Sequence, residues 1–220
     1  MEGFRLEHVG YRYAKTQQPV LCDLNYTFHG GHMYAVVGKS GAGKTTLLSL
    51  LSGLTKPTQG VIWLDDQDIS RLNRYRYRRK DVGVVFQSFN LLPRLTAVEN
   101  VVLSMDISGK KYPQKKQRAM ELLGKVGLEP EEAGRRILQL SGGQQQRVAI
   151  ARALAYDPDI ILADEPTGNL DGETQEEILR IFRTLADEGK CVILVTHSPQ
   201  VARECDAVYE LARQKKASIG

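Results

Sequence analysis

Gly38-Lys39-Ser40-Gly41-Ala42-Gly43-Lys44-Thr45 has the residue types and spacing best suited to chemistry, and that chemistry is the handling of phosphates. In the pattern G-x-x-x-x-G-K-[ST], glycines let backbone N–H groups curl around an anion, and the start of a following helix adds partial positive charge. Lys44 is placed to reach terminal phosphates, and the Thr45 hydroxyl suits the shell of a bound Mg²⁺. Asp164-Glu165 is a second cluster, closing the apolar run Ile160-Ile161-Leu162-Ala163. Unpaired carboxylates after four apolar residues are expensive to bury, which argues for a ligand there. Adjacent strand side chains point opposite ways, so the pair is expected to divide its work. Asp164 would hold Mg²⁺ through its water shell, and Glu165 would polarise an attacking water. His197 ends the run Cys191–Thr196 at the same sheet edge, which favours a γ-phosphate contact over the structural role a lone histidine usually has. Gln87 ends the run Val82–Phe86, where a neutral amide suits both Mg²⁺ and water, or is simply a loop residue. Ser141-Gly142-Gly143 opens a strong helix former, Gln144–Leu154, and makes a second anion-binding helix start. A structural cap alone would not require both glycines. One account is that each nucleoside triphosphate is held between two chains, the glycine loop from one and Ser-Gly-Gly from the other.

These clusters need strands and helices to aim them. Phe4–Val9 and Leu24–Phe28 alternate apolar and polar, so residues 4–37 read as antiparallel strands, with Gly30-Gly31 turning into the buried strand Met33–Val37. Thr46–Gly53 is apolar at helical spacing and ends on glycine. Pro57–Gly60 leads to the strand Val61–Leu64 and a turn at Asp65-Asp66. Tyr11-Arg12-Tyr13 lies near the glycine loop in sequence order. A tyrosine there can stack on an adenine, although spacing alone favours a core or surface role. Arg71–Lys80 interleaves basic residues with tyrosines. With no matching basic stripe elsewhere it reads as a solvated short helix, not a nucleic-acid site. Thr96–Glu99 is a capping box opening a helix through Met105; Pro113 fits the first turn of a second helix running to Gly127; Pro130 with Glu131-Glu132 opens a third. Residues 88–140 thus read as a helical lobe inserted into an α/β core. Glu173–Leu185 is an amphipathic helix, Ala207–Leu211 a last strand, and Arg213–Gly220 a basic end expected to fray.

At 220 residues, with 42% hydrophobic and 25% charged residues, the chain suits one well-buried domain. No apolar run approaches the ~18 residues of a membrane span, and the first residues lack a signal-peptide pattern. Cys22, Cys191 and Cys205 are an odd set without C-x-x-C spacing, and the histidine spacing suggests no zinc site, so a reducing cytosol is expected. The net charge of +4 is too mild to name a partner.

Taken together over residues 4–211, these motifs resemble the ATP-binding subunit of ABC transporters. The glycine loop, Gln87, Leu140-Ser141-Gly142-Gly143-Gln144, Ile161–Pro166, Asn169-Leu170-Asp171 and Thr196-His197 follow that family's order. Residues 90–101 and 162–171 are similar to the group containing macrolide-export, lipoprotein-releasing and FtsE-like ATPases. The resemblance implies a P-loop NTPase core of the α/β class (4–87 and 141–211), with an N-terminal antiparallel β subdomain, an inserted α-helical subdomain (88–140) and a tail (212–220). It implies a head-to-tail homodimer that closes on two Mg-ATP. Catalysis would involve Glu165, His197, Lys44 and Gln87; Tyr13 would stack on adenine, residues 38–46 and Asp164 would bind nucleotide, and Thr45, Gln87 and Asp164 would hold Mg²⁺. Ser141, Gly142, Gly143 and Gln144 would act in trans, with Asp171 at the dimer contact. A permease subunit would dock near 87–101, which places the chain in the cytoplasm, peripheral on the membrane. The work implied is export or extraction, or else regulation of cell-wall enzymes. Gly31-His32 departs from the usual Gly-Glu, Thr45 from the commoner serine, and an Asp-Gly-Lys after the last strand is missing.

Overall fold

The computed structural model describes residues 3–14 and 18–212, so the basic end at 213–220 lies outside the described residues. Strands β1 (Phe4–Tyr11), β2 (Leu21–Leu24) and β3 (Thr27–Phe28) lead to β4 (Met33–Val37), which delivers the glycine loop to helix α1 (Lys44–Leu51). Next come β5 (Gln59–Leu64), β6 (Gln67–Asp68), α2 (Arg74–Lys80) and β7 (Val82–Val85). Three helices follow: α3 (Ala97–Ser108), α4 (Lys115–Lys125) and α5 (Pro130–Ala133). The chain returns through α6 (Gly142–Leu154), β8 (Ile160–Asp164), α7 (Gly172–Asp187), β9 (Cys191–Thr196), α8 (Pro199–Arg203) and β10 (Ala207–Glu210).

Two sheets divide the strands. One has the order β2-β1-β5-β6 with β3 also on β1, and all its pairings are antiparallel; the other has the order β10-β4-β9-β8-β7 and is wholly parallel. β4 therefore departs from the antiparallel reading of residues 4–37: it lies between β9 and β10, in register with Val192 to Thr196 and with residues 207–210. The expected strand 24–28 is two strands, because Asn25-Tyr26 break the ladder between a pairing at Val9–Leu24 and one at Arg5–Thr27. Continuous apolar runs in β8 and β9 are what a sheet covered on both faces requires. Ile160, Leu162, Ile193 and Val195 face the core shared with the antiparallel sheet and α1. Ile161, Ala163, Val192 and Leu194 face a core that also takes in Val101, Met105, Leu123 and Phe182. The inserted helices thus share their apolar core with the parallel sheet and α7.

Several helix starts follow capping chemistry. Thr96 and Glu99 cap α3 reciprocally, and Pro130 sits in the first turn of α5. Pro113 is not in a first turn: α4 begins at Lys115 after Gln114, whose φ of 54° is left-handed. The basic segment is also less solvated than expected. Tyr77 is buried and its hydroxyl donates to the Leu51 carbonyl at 2.6 Å, tying α2 to the end of α1.

Candidate functional site

The parallel strands bring residues far apart in sequence to one edge. A cleft of about 660 Å³ is lined by Val20, Ser40, Gly41, Gly43, Lys44, Thr45, Thr46, Gln87, Asp164, Glu165 and His197. Gly41 and Gly43 have φ of 78° and 98°, conformations that favour glycine. Gly43 is constrained twice, since a Cβ there would fall 2.6 Å from Leu21 Cδ2. The loop closes with the Ala42 N–H donating to the Lys39 carbonyl at 3.0 Å, and Lys44 Nζ donates back to the Gly38 carbonyl at 2.7 Å. Ala42 is buried, while Lys39 and Ser40 are exposed. Tyr13 stands beside this loop, half exposed at 47%, with its hydroxyl 3.0 Å from Thr46 Oγ1 and its ring edge-on to Tyr11.

The acidic pair diverges, but not by strand alternation. Asp164 ends β8, whereas Glu165 has φ 45°, a left-handed conformation that costs about 1–3 kcal/mol in a non-glycine residue. The Glu165 N–H donates to the Val195 carbonyl, and its carbonyl accepts from Gly168. Its carboxylate is turned to β9: Oε2 accepts from Thr196 Oγ1 and the His197 N–H, both at 3.2 Å, and Oε1 lies 2.7 Å from His197 Nδ1. Asp164 instead lines the cleft with Thr45 and Lys44 and feels the charge of Lys44. Burial, with the nearby Glu165 carboxylate, pushes the Asp164 pKa up, while Lys44 and the Thr45 hydrogen bond oppose that shift. A half-buried carboxylate in this setting is one that a cation would relieve.

Ser141, Gly142, Gly143, Gln144 and Asp171 are not in the cleft lining. Ser141 is the N-cap of α6, in a reciprocal capping box with Gln144. The Gln144 amide also donates to Glu132, so its side chain is committed within the chain. Asp171 caps α7 by accepting from the Thr174 N–H and hydroxyl. The two glycines differ. A Cβ on Gly143 would come 2.5 Å from Thr174 Cγ2, so internal packing accounts for that glycine; on Gly142 it would meet, among the described residues, only Leu170, at an ordinary 3.7 Å. Ser141 and Gly142 are exposed.

A family model described as ABC transporter matches residues 21–168. This chain is an ABC transporter ATP-binding protein. It is 46% identical over 214 residues to the uncharacterised ABC transporter ATP-binding protein YclH of Bacillus subtilis, covering 97% of this chain and 95% of that one. It is also 46% identical over 199 residues to the macrolide export ATP-binding/permease protein MacB of Syntrophobacter fumaroxidans, covering 88% of this chain and 28% of that one. In solved structures, the bacterial ABC transporter cassette MJ0796, seen as a dimer, superposes with a TM-score of 0.85 at 40% identity, over 97% of this chain and 98% of that one. A second MJ0796 structure, a post-hydrolysis state bound to ADP and Pi, matches with a TM-score of 0.85 at 39% identity.

The ABC protein has a second concavity, a groove of about 540 Å³ between α2, α3, α6 and β7. Leu54, Tyr75 and Ile107 are exposed along it, and its charged lining residues are Arg78, Arg79 and Arg152. Of the stretch 87–101, only Asn90 lines it; the rest comes from the end of α1, α2, β7, the far end of α3 and the end of α6. Sequence reasoning missed this use of α2, because a helix with one buried tyrosine among five basic residues carries no amphipathic signal. It also missed Val20, and it named Thr196 beside His197 without giving it a role toward Glu165. That role is legible in hindsight, from a hydroxyl closing an apolar strand one residue before His197.

Proposed function

We propose that this chain is the ATP-hydrolysing motor subunit of an ABC transporter complex, in which two copies bind two Mg-ATP head to tail and drive separate transmembrane subunits in export or extraction. The observation that carries this is the convergence of Lys44, Thr45, Gln87, Asp164, Glu165 and His197 on one cleft. The dimeric and the ADP- and Pi-bound states of MJ0796, and the name of the MacB relative, favour the same reading. We take residues 1–220 as one ATPase domain, with core 4–87 and 141–211, helical subdomain 88–140 and tail 212–220.

The loop amides and Lys44 bind the β- and γ-phosphates, and Tyr13 offers a ring to the adenine. Among the described residues there is no cluster of three or more His, Cys, Asp or Glu, so a metal cage made of protein alone is not at hand. A Mg²⁺ bound through the Thr45 hydroxyl, Asp164 and Gln87 needs no such cage, because phosphates and water complete its shell. The ion would supply neutralisation of charge on the phosphate oxygens. Glu165 takes a proton from the attacking water at a carboxylate oxygen, oriented by Thr196 and the His197 backbone. With His197 Nδ1 facing Glu165, the hydrogen-bond network leaves Nε2 for the γ-phosphate. Ser141, Gly142, Gly143 and the backbone of Gln144 come from the second copy, with Asp171 at the contact. Gly142 supports this, since among the described residues nothing in its own chain excludes a side chain there.

The groove takes a short helix from the membrane subunit, apolar toward Leu54 and Ile107 and acidic toward the arginines. No helix among the described residues is long and apolar enough to cross a membrane, which fits a subunit attached to the cytoplasmic face through a partner. Glu165→Gln is the test. It should keep ATP affinity, slow hydrolysis about a hundredfold or more, and give an ATP-dependent dimer on gel filtration. Near-normal turnover would remove Glu165 from the mechanism.

A further inference from the structure

One side chain of the groove reaches the turn that follows Gln87. Arg152, near the C-terminal end of α6, lines the groove and forks onto two consecutive carbonyls, donating to Asn90 and, at 2.8 Å, to Phe89. Both residues are left-handed, with φ of 59° for Phe89 and 52° for Asn90, and their N–H groups turn back onto Phe86 and Ser88. Among the described residues Arg152 has no carboxylate partner. A half-buried guanidinium satisfied by backbone oxygens fixes that backbone, because its planar fork sets two acceptors at once. The turn it holds follows directly on Gln87, whose Nε2 would lie 3.4 Å from a Cβ on Gly168, against the turn that carries Glu165.

We propose that Arg152 is a positioning residue: it clamps the 88–90 turn, sets the place of Gln87 against the Glu165 turn, and so lets a group entering the groove act on the cleft. An acidic or carbonyl group on the incoming helix meets the same N–H donors that hold the turn. The inference rests on the roles of Gln87 and the groove proposed above. Its test is a double-mutant cycle in the full chain with Arg152→Gln and Gln87→Ala, reading kcat, the dissociation constant of a fluorescent ATP analogue, and hydrogen exchange at the Phe89 and Asn90 amides.

Arg152→Gln should lower kcat about tenfold, the scale of one charge-assisted hydrogen bond. Nucleotide affinity should stay within about twofold, and exchange should quicken at Phe89 and Asn90 but not along α6. In the Gln87→Ala background the same change should do nothing further. If Gln87→Ala is slow and the two losses multiply, the clamp is wrong while the site reading stands. Unchanged exchange at Phe89 and Asn90 also overturns the clamp. If Gln87→Ala alone leaves kcat untouched, the role of Gln87 falls and takes this inference with it. Should Arg152→Gln fail to fold, Arg152→Lys, which keeps the charge but not the fork, carries the same cycle.

Discussion

Gly142 and Gly143 are neighbours in the first turn of one helix, and alanine at each should have opposite consequences. At Gly142 the new methyl would touch, among the described residues, only Leu170 at 3.7 Å. Alanine there gains helix propensity and loses unfolded-state entropy, so Gly142→Ala should be neutral to about 1 kcal/mol more stable. At Gly143 the methyl would fall 2.5 Å from Thr174 Cγ2, and Thr174 cannot rotate away without breaking its 3.0 Å hydrogen bond to Asp171. Overpacking of this kind costs about 1–3 kcal/mol, against a propensity gain of at most about 1. The two variants should therefore differ by about 2 kcal/mol, or roughly 4–8 °C in Tm at 2–4 °C per kcal/mol for this size of domain. ATPase activity should run the other way. If the second copy's nucleotide approaches the start of α6, the more stable Gly142→Ala should lose most of its turnover and its ATP-dependent dimer. Urea unfolding and steady-state hydrolysis on the same preparations decide the matter. A Gly142→Ala chain that is stable and fully active would refute the idea that something outside the chain requires that glycine.

Asp164→Asn should stabilise the nucleotide-free chain near pH 7 while abolishing Mg²⁺-dependent nucleotide binding. Because the folded pKa is raised by burial and by Glu165, the ionised form lowers stability above that pKa. As pH falls below the ordinary carboxylate range the penalty disappears, so the Tm gap between variant and parent should close on acidification; a gap independent of pH would contradict the assignment. Asn100 is buried, accepts from the Leu92 N–H, and donates to the carbonyls of Leu92 and Thr96. Asn100→Ala should cost about 2 kcal/mol by urea unfolding, since it strands buried backbone groups. A loss below about 0.5 kcal/mol would mean that water replaces the side chain.

The glycine loop was legible because its determinants are local: positive φ, a lysine and a hydroxyl at fixed offsets, and a helix start. The caps of α3 and α6 were legible for the same reason. The direction of β4 was not, because nothing within Met33–Val37 says that its partners lie at 191–196 and 207–210. The rule that side chains alternate gave the right divergence of Asp164 and Glu165 on the wrong ground, since Glu165 has left the strand and turns through a left-handed residue. The reason for Gly143 was hidden too: it lies in Thr174, on another helix. Arg152 carries no local signal at all; its meaning comes from two carbonyls some sixty positions away.

The placing of β4 between β9 and β10 also has a meaning for biosynthesis. The strand that bears the phosphate-binding loop has no sheet neighbour until the last segment of the described chain is made. Even then the loop leans on that segment: Met33 donates to Asp206, Leu211 donates to Val37, and a Cβ on Gly38 would lie 2.9 Å from the Leu211 carbonyl. At about 5–20 residues per second a ribosome needs on the order of ten seconds to supply those partners. Throughout that time Gly38 to Lys44 is emerged but unsupported sequence. A grip on nucleotide therefore arrives late in the life of each molecule, and a chain broken off before β9 would carry the complete motif without the ability to use it.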